Sequence, residues 1–415
     1  MEITHNKHCR ICKSENLEKF LDLGPVALVS NFIPADKLDI KEQIPNLDIY
    51  VCKDCWLAQV VDVPDPEELF LNDYPYMTRF ISTMVTHFEA RAKESIDRFN
   101  LQDDDLVMDI GSNDGVYLGG FKKHKPNINV LGVDPAPNIV PFAEERGVRS
   151  ANIFFTEENA KKLREKEGPA KLILSTNTFA HIDDLDDFVK GLKIMLDDDG
   201  VFIFENPYAI DTILGTQFDT MYYDHVSYYA IHPCKVLFER FGMEIFDVKQ
   251  TDVHGGSIMV YVKKKESSIP VTSKPAEMLA KEKELGFNTM KPYLEFAERV
   301  ARFKENLMDI ITALKAQGKT IAAYGASARG NVTLSYCGLN NTILDYICDK
   351  SDFKQGRHTP GTRLEIFAPS KLAETMPDYT LMVAWNFTDE ILKEQEEYRK
   401  KGGRFIVPLP ELKIV

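Results

Sequence analysis

Leu106-Val107-Met108-Asp109-Ile110-Gly111-Ser112-Asn113-Asp114-Gly115 reads as a buried strand that runs into a glycine turn, with a helical pattern directly after it. Glycines at such a turn let the backbone approach a ligand and present amides at a helix N-terminus. The spacing is DxGxxxG, not the GxGxxG of dinucleotide-binding folds. Asp109 stands just before the turn, where a carboxylate would repel a pyrophosphate. It suits the cationic methionine end of S-adenosylmethionine (SAM) better. A second strand candidate, Asn129 to Asp134, ends in an acid placed to accept hydrogen bonds from a ribose diol. Asp109, Gly111, Ser112, Asn113, Gly115 and Asp134 are therefore candidate cofactor residues, and SAM is favoured over NAD. The bland alternative is a tight turn that holds nothing.

Working outward, the apolar runs LVMDI, NVLGVD, KLILST and GVFIFE alternate with helical patterns. That alternation predicts the α/β class, with a mostly parallel sheet covered by helices on both faces. The texture divides the chain into residues 1–75, short and turn-rich; 76–262, the alternating core; 263–318, a Ser/Pro/Lys-rich linker and a helical stretch; and 319–415, where alternation restarts. The helical stretch is expected from about Ala276 to Gln317, stopping at Gly318. The last region, with KTIAAYG, LDYICD, YTLMVAW and GRFIVP, reads as a smaller Rossmann-like domain, too short for a full six-stranded doubly wound sheet.

No apolar run is long enough to span a bilayer and the N-terminus lacks a signal-peptide core, so a cytoplasmic protein without membrane contact is expected. A net charge of -14 argues against a nucleic-acid polymer as partner. Cys9-x-x-Cys12 and Cys52-x-x-Cys55 are matched pairs whose four thiolates can close a tetrahedral, structural zinc site. A segment of about 70 residues has a small core that a metal staple would support.

Asn177 and His181 follow the strand KLILST, at the carboxyl end where ligands bind in open α/β sheets. Asn177 is expected on the cofactor side, His181 and Asn206 on the substrate side. Gln217 to His225 places tyrosine, acid and histidine within four residues. Histidine titrates near neutrality and could remove a proton beside a ketone. Tyr222 could stabilise the resulting enolate oxygen, and Asp224 could orient the base. The competing reading is an aromatic loop packed between domains. In the last region, Ser327, Arg329 and Asn331 lie in a small-residue loop that opens a helix and suits a diphosphate. Asp349, Lys354 and Arg357, then Trp385 and Asn386, occupy further strand ends and loops there.

Taken together, these motifs resemble the zinc-containing, SAM-dependent nucleotide-sugar C-methyltransferases of deoxysugar pathways. The resemblance covers nearly the whole chain. It rests on Cys9-Arg-Ile-Cys12, Leu21-Asp-Leu-Gly24-Pro25 and Cys52-Lys-Asp-Cys55. It rests also on Gln217 to Tyr228, which matches Q-F-D-T-x-Y-x-E-H-x-S-Y, and on His254-Gly-Gly-Ser257 and Tyr324 to Asn331. Gln355-Gly-Arg357, Pro360-Gly-Thr362 and Trp385-Asn-Phe387 complete it. It implies a zinc domain, a class I SAM-methyltransferase domain and a C-terminal domain that helps hold the nucleotide sugar. It implies His225 as the base, Tyr222 as its assistant, Asp224 close by where the family usually has Glu, and Tyr76 as a SAM contact. The implied substrate is an NDP-4-keto-deoxysugar, dTDP-linked or related, methylated at C3 or sometimes C5. An O- or N-methyltransferase on a nucleotide sugar, a non-catalytic binding protein and an NAD-dependent oxidoreductase are the competing readings. Monomer and dimer both stay open.

Overall fold

The structure is a computed structural model; it describes residues 3–71 and 74–415, with the backbone alone for His254. The central sheet has seven strands: β1 Leu106–Ile110, β2 Asn129–Val133, β3 Arg149–Ala151, β4 Ala170–Thr176, β5 Leu196–Pro207, β6 Met243–Thr251 and β7 Ser257–Lys264. Their order is β6-β7-β5-β4-β1-β2-β3. β7 runs antiparallel to both β5 and β6, and the pairs from β5 to β3 are parallel. This is the class I SAM-methyltransferase plan. Residues alternate between faces: Val107, Leu174 and Ile203 enter one core, Met108, Ile173 and Phe204 the other. Burial on both faces explains why these strands read as continuous apolar runs.

The four-cysteine segment forms an antiparallel sheet from Leu17–Pro25, Asn46–Cys52 and Ala58–Val60. Its fourth strand is Ser227–Tyr228, paired with Gln59 and Ala58, so the segment expected to be catalytic finishes the sheet of the cysteine domain.

Two helices, Lys274–Glu284 and Lys291–Ala316, replace the single helical stretch expected from Ala276 to Gln317. The break falls at Gly286, whose φ of 80° is left-handed and ends the first helix. The second does stop at Gly318. It buries Phe296, Val300, Phe303, Leu307, Ile311 and Leu314, a stripe at helical spacing.

The C-terminal sheet corrects a second expectation. It has six strands, β8 Ile321–Tyr324, β9 Ile347–Cys348, β10 Ile366–Phe367, β11 Tyr379–Met382, β12 Arg404–Val407 and β13 Lys413–Ile414, in the order β10-β9-β8-β11-β12-β13. β13 is antiparallel to β12; the other pairs are parallel. The doubly wound order is complete, and the short region accommodates it because β9, β10 and β13 are only two residues long. The two ends of the chain also clasp: Arg357–His358 pairs with Ile33–Pro34, and Asn331 Nδ2 donates to the Val29 carbonyl at 2.7 Å. Among the described residues, no helix is long and apolar enough to cross a membrane.

Candidate active site

A cavity of about 810 Å³ opens at the carboxyl ends of β1, β2, β4 and β5. Asp109, Gly111, Ser112, Asn113 and Asp134 line one side. Tyr222, Asp224 and His225 line another, and Arg329, Asn177, His181 and Tyr76 also reach it. The structure thus gathers twelve of the expected site residues around one space.

The glycine loop is tightly constrained. Gly111 has φ 75°, and a Cβ there would lie 2.0 Å from Thr178 Oγ1. A Cβ at Gly132 would meet Ser112 Oγ at 2.4 Å. Asn113 has φ 50°, and its amide N–H donates to Asp134 Oδ2 at 2.8 Å while Ala136 N–H donates to Oδ1 at 2.9 Å. Its side chain pins the strap that carries Tyr76: Nδ2 donates to the Tyr76 carbonyl and Oδ1 accepts from Thr78 N–H, both at 3.0 Å. Burial pushes the Asp109 carboxyl up to about 8, with the Asp134 charge adding to it. Asp109 Oδ1 and Ser112 Oγ are buried without a protein partner. An acceptor pair on the wall of a cavity is what an ammonium or sulfonium cation needs. The loop therefore fits SAM. Gly115 is not among the lining residues. With φ 72° it caps the helix Val116–His124, and a Cβ on it would stand 3.0 Å from that of Ala143.

Opposite the loop, His225 Nδ1 donates to the Thr220 carbonyl at 3.0 Å. That bond makes Nε2 the acceptor nitrogen, and the Tyr222 hydroxyl donates to it at 3.0 Å. His181 donates from Nδ1 to the Asp224 carbonyl at 2.5 Å, and burial pulls its imidazole down to about 4, so it is neutral. Burial pushes the Asp224 carboxyl up to about 6. Its Oδ2 accepts from Ser30 Oγ at 3.2 Å, while Oδ1 is buried with no protein partner.

The remaining residues expected at the substrate do not line the cavity. Asn206 sits in β5, where its amide, oriented to satisfy its neighbours, donates to the Glu205 carbonyl and accepts from Ala180 N–H. Ser327 Oγ caps the helix Ala328–Cys337 by accepting from Gly330 N–H. Lys354 donates to the Ala326 carbonyl and pairs with Asp349. Arg357 stacks on Phe353. Asn386 lies in the short turn that carries Trp385. Arg329 forms a two-pronged pair with Asp219 through Nε at 3.1 Å and a terminal nitrogen at 2.8 Å, and Trp385 Nε1 donates to the same carboxylate at 2.7 Å. Asp219 and Thr220 lie within the run Gln217 to His225 with no role marked by the sequence, and nothing in the sequence points to Ser30. A backbone acceptor leaves no residue signature, and Ser30 is about 190 positions from its partner. The His254 side chain lies outside the described residues.

In the N-terminal domain, the sulfurs of Cys9 and Cys55 are 3.4 Å apart and those of Cys12 and Cys52 3.5 Å, with all four within 4.8 Å of one another. Zinc–sulfur bonds of about 2.3 Å put tetrahedral sulfurs roughly 3.8 Å apart, so the cluster fits zinc with small adjustments.

Residues 9–70 match the profile of a zinc binding domain, residues 84–248 that of a methyltransferase domain, and residues 252–410 that of a C-methyltransferase C-terminal domain. The chain is 35% identical over 407 residues to the C-methyltransferase NovU of Streptomyces niveus, across 98% of this chain and 96% of that one. It belongs to the C-methyltransferase family. Membership makes SAM the methyl donor of the enzyme and the four cysteines its zinc site. A second relative, phosphoethanolamine N-methyltransferase 1 of Triticum aestivum, is 28% identical over 160 residues, 34% of this chain and 31% of that one. A solved SAM-dependent methyltransferase from Anabaena variabilis overlays 45% of this chain and 93% of its own at 13% identity, with a TM-score of 0.34. A neutral histidine with an accepting Nε2 beside a phenol can take a proton from a carbon next to a carbonyl.

Proposed function

We propose that this C-methyltransferase acts on an NDP-4-keto-deoxysugar, at C3, by deprotonation beside the ketone. The observation that carries the reading is the Tyr222–His225 pair, with Nδ1 tied to Thr220, facing the same cavity as the Asp109 loop. His225 Nε2 takes the proton from the sugar carbon. The Tyr222 hydroxyl, released from Nε2 as that nitrogen protonates, turns its hydrogen to the developing enolate oxygen. SAM supplies the electrophilic methyl group that the carbanionic carbon accepts. Asp109 and Asp134 hold the donor's cationic and hydroxyl-bearing ends, and Tyr76 on its strap covers it. The walls exclude water from the enolate. Asp224 Oδ1 offers an acceptor to a sugar substituent, from a carboxylate one methylene shorter than the family's usual Glu.

The test is to incubate the protein with SAM and a panel of dTDP-, GDP- and CDP-4-keto-6-deoxysugars, and to locate the new methyl by mass and NMR. Solvent deuterium should enter the accepting carbon without SAM. A methyl found on oxygen or nitrogen would replace this reading with an O- or N-methyltransferase. His225→Ala should lower turnover by about 10²–10⁴-fold, the usual worth of a general base. Near-normal turnover in a variant that binds both ligands would remove His225 from the role.

A further inference from the structure

We propose that Asp219 is a positioning residue for the base, and that Arg329 and Trp385 of the C-terminal domain act through it. The idea rests on the reading of His225 as the base.

Asp219 is fully buried, and three donors meet its carboxylate: Arg329 Nε, an Arg329 terminal nitrogen, and Trp385 Nε1 at 2.7 Å. The guanidinium also lies over the Trp385 ring, 4.6 Å from its centroid. Arg329 stands in the first turn of the helix after β8, and Trp385 follows β11. β8 and β11 are the adjacent strands at which the order of the C-terminal sheet reverses, the crevice where such sheets take an anion. Here a carboxylate from the central domain is the anion at that crevice.

The next residue is Thr220. Its carbonyl accepts the Nδ1–H of His225 at 3.0 Å, and its hydroxyl donates back to the Gln217 carbonyl at 2.9 Å. Gln217 in turn accepts from Arg329 at 3.3 Å and donates to the Gly255 carbonyl at 2.7 Å. The turn Gln217–Met221 is thus held from both flanks. Its one bond to the imidazole selects the tautomer in which Nε2 is free of hydrogen. A peptide plane that rotated here would release Nδ1–H and let the proton move to Nε2, which then could not take one from carbon. The pairing also explains why cations that read as diphosphate ligands include one already committed to a buried acid: removing either partner would strand a charge in the interior.

The test uses the full-length, zinc-loaded protein labelled with ¹⁵N in its histidine rings. Long-range ¹⁵N–¹H spectra report each ring's tautomer without any substrate, and His225→Asn assigns the signal. The wild type should show His225 with hydrogen on Nδ1. In Asp219→Asn the signal should shift towards a tautomer mixture, and with SAM and a dTDP-4-keto-6-deoxysugar kcat should fall on the order of 10²-fold with KM little changed. Trp385→Phe keeps the ion pair and removes one donor, so it should fold normally and show the same change in smaller degree. Arg329→Lys, which keeps the charge but loses the fork, should fall between them. If both Asp219→Asn and Trp385→Phe keep the Nδ1–H signal and normal kcat, the proposal is overturned. Failure of the base assignment looks different: His225→Ala would then turn over normally whatever the tautomer spectra show.

Discussion

The Tyr222 hydroxyl stands 3.0 Å from His225 Nε2, and the two rings stack with centroids 4.2 Å apart. Burial holds the phenol well above its ordinary titration range, so it remains a donor at every working pH. Tyr222→Phe keeps the stacked ring and removes only the hydroxyl. If that hydroxyl meets the enolate oxygen, kcat should drop by roughly 10²–10³-fold, the worth of one oxyanion donor. Deuterium exchange at the sugar carbon should slow in parallel, because the lost step precedes methyl transfer. Exchange at the wild-type rate would show that the phenol serves packing instead.

Asp109 gives a pH prediction. Its carboxyl rises from an ordinary 3.8 to about 8 through burial, with the Asp134 charge as the second cause. Between those values the folded ligand-free chain holds a proton that the unfolded chain has released. Its stability therefore falls as pH rises through that window. Asp109→Asn cannot ionise, so its melting temperature should decline less between pH 5 and 8 than that of the wild type. Asp134, also raised by burial, keeps part of the slope in the variant. Binding should move the other way. Losing one charge-assisted bond costs about 1.5–3 kcal/mol, or roughly 10- to 100-fold in SAM affinity by calorimetry. Equal melting slopes together with equal affinity would remove Asp109 from the cofactor site.

The Asn113 side chain separates two effects in one position. It bonds to the Tyr76 carbonyl and Thr78 N–H, and its backbone is left-handed with φ 50°. Asn113→Gly loses the bonds but accepts the backbone; Asn113→Ala loses both. Both variants should bind SAM about tenfold more weakly, since each removes about 1–2 kcal/mol of bonding that holds the strap. The alanine variant should also be less stable to urea than the glycine variant by about 1 kcal/mol, the cost of a Cβ in that conformation. Equal urea midpoints would mean the loop relaxes out of its left-handed turn.

Much of this architecture is legible from the chain alone, and the exceptions share a cause. Leu106–Gly115 identifies itself because a doubly buried strand is continuously apolar and the ligand turn demands glycine at Gly111, where a Cβ would strike Thr178. The four cysteines declare themselves by spacing. Arg329 does not, because its partner Asp219 lies 110 residues away and a lone cation beside a small-residue loop looks like a phosphate ligand. β10 and β13 are two residues each, too short to show any period, so the C-terminal sheet reads as incomplete. Ser227–Tyr228 joins the cysteine domain by main-chain bonds, which depend on no particular side chain.

That last pairing makes zinc removal a test of catalysis as well as of folding. Ser227 pairs with Gln59 in the sheet that Cys52 ends, and the Val226 carbonyl accepts from Val60 N–H at 3.0 Å and from Arg10 at 3.1 Å. Arg10 lies between two metal-binding cysteines, and Val226 adjoins His225. Without the metal, nothing bonds Cys9 and Cys12 to Cys52 and Cys55 across the sheet, and structural zinc sites commonly supply the folding energy of such domains. The loosened sheet then frees the segment that orients the base. Asp109 and Asp134, on the central sheet, keep their places. Chelation, followed by metal analysis, should therefore lower kcat by about 10²-fold or more while SAM affinity changes far less. Cys52→Ser should behave alike, and restored zinc should rescue the chelated wild type but not the variant. If the zinc-free protein turned over normally, the cysteine domain would be a passive attachment, and the strand Ser227–Tyr228 would owe its place to the central domain alone.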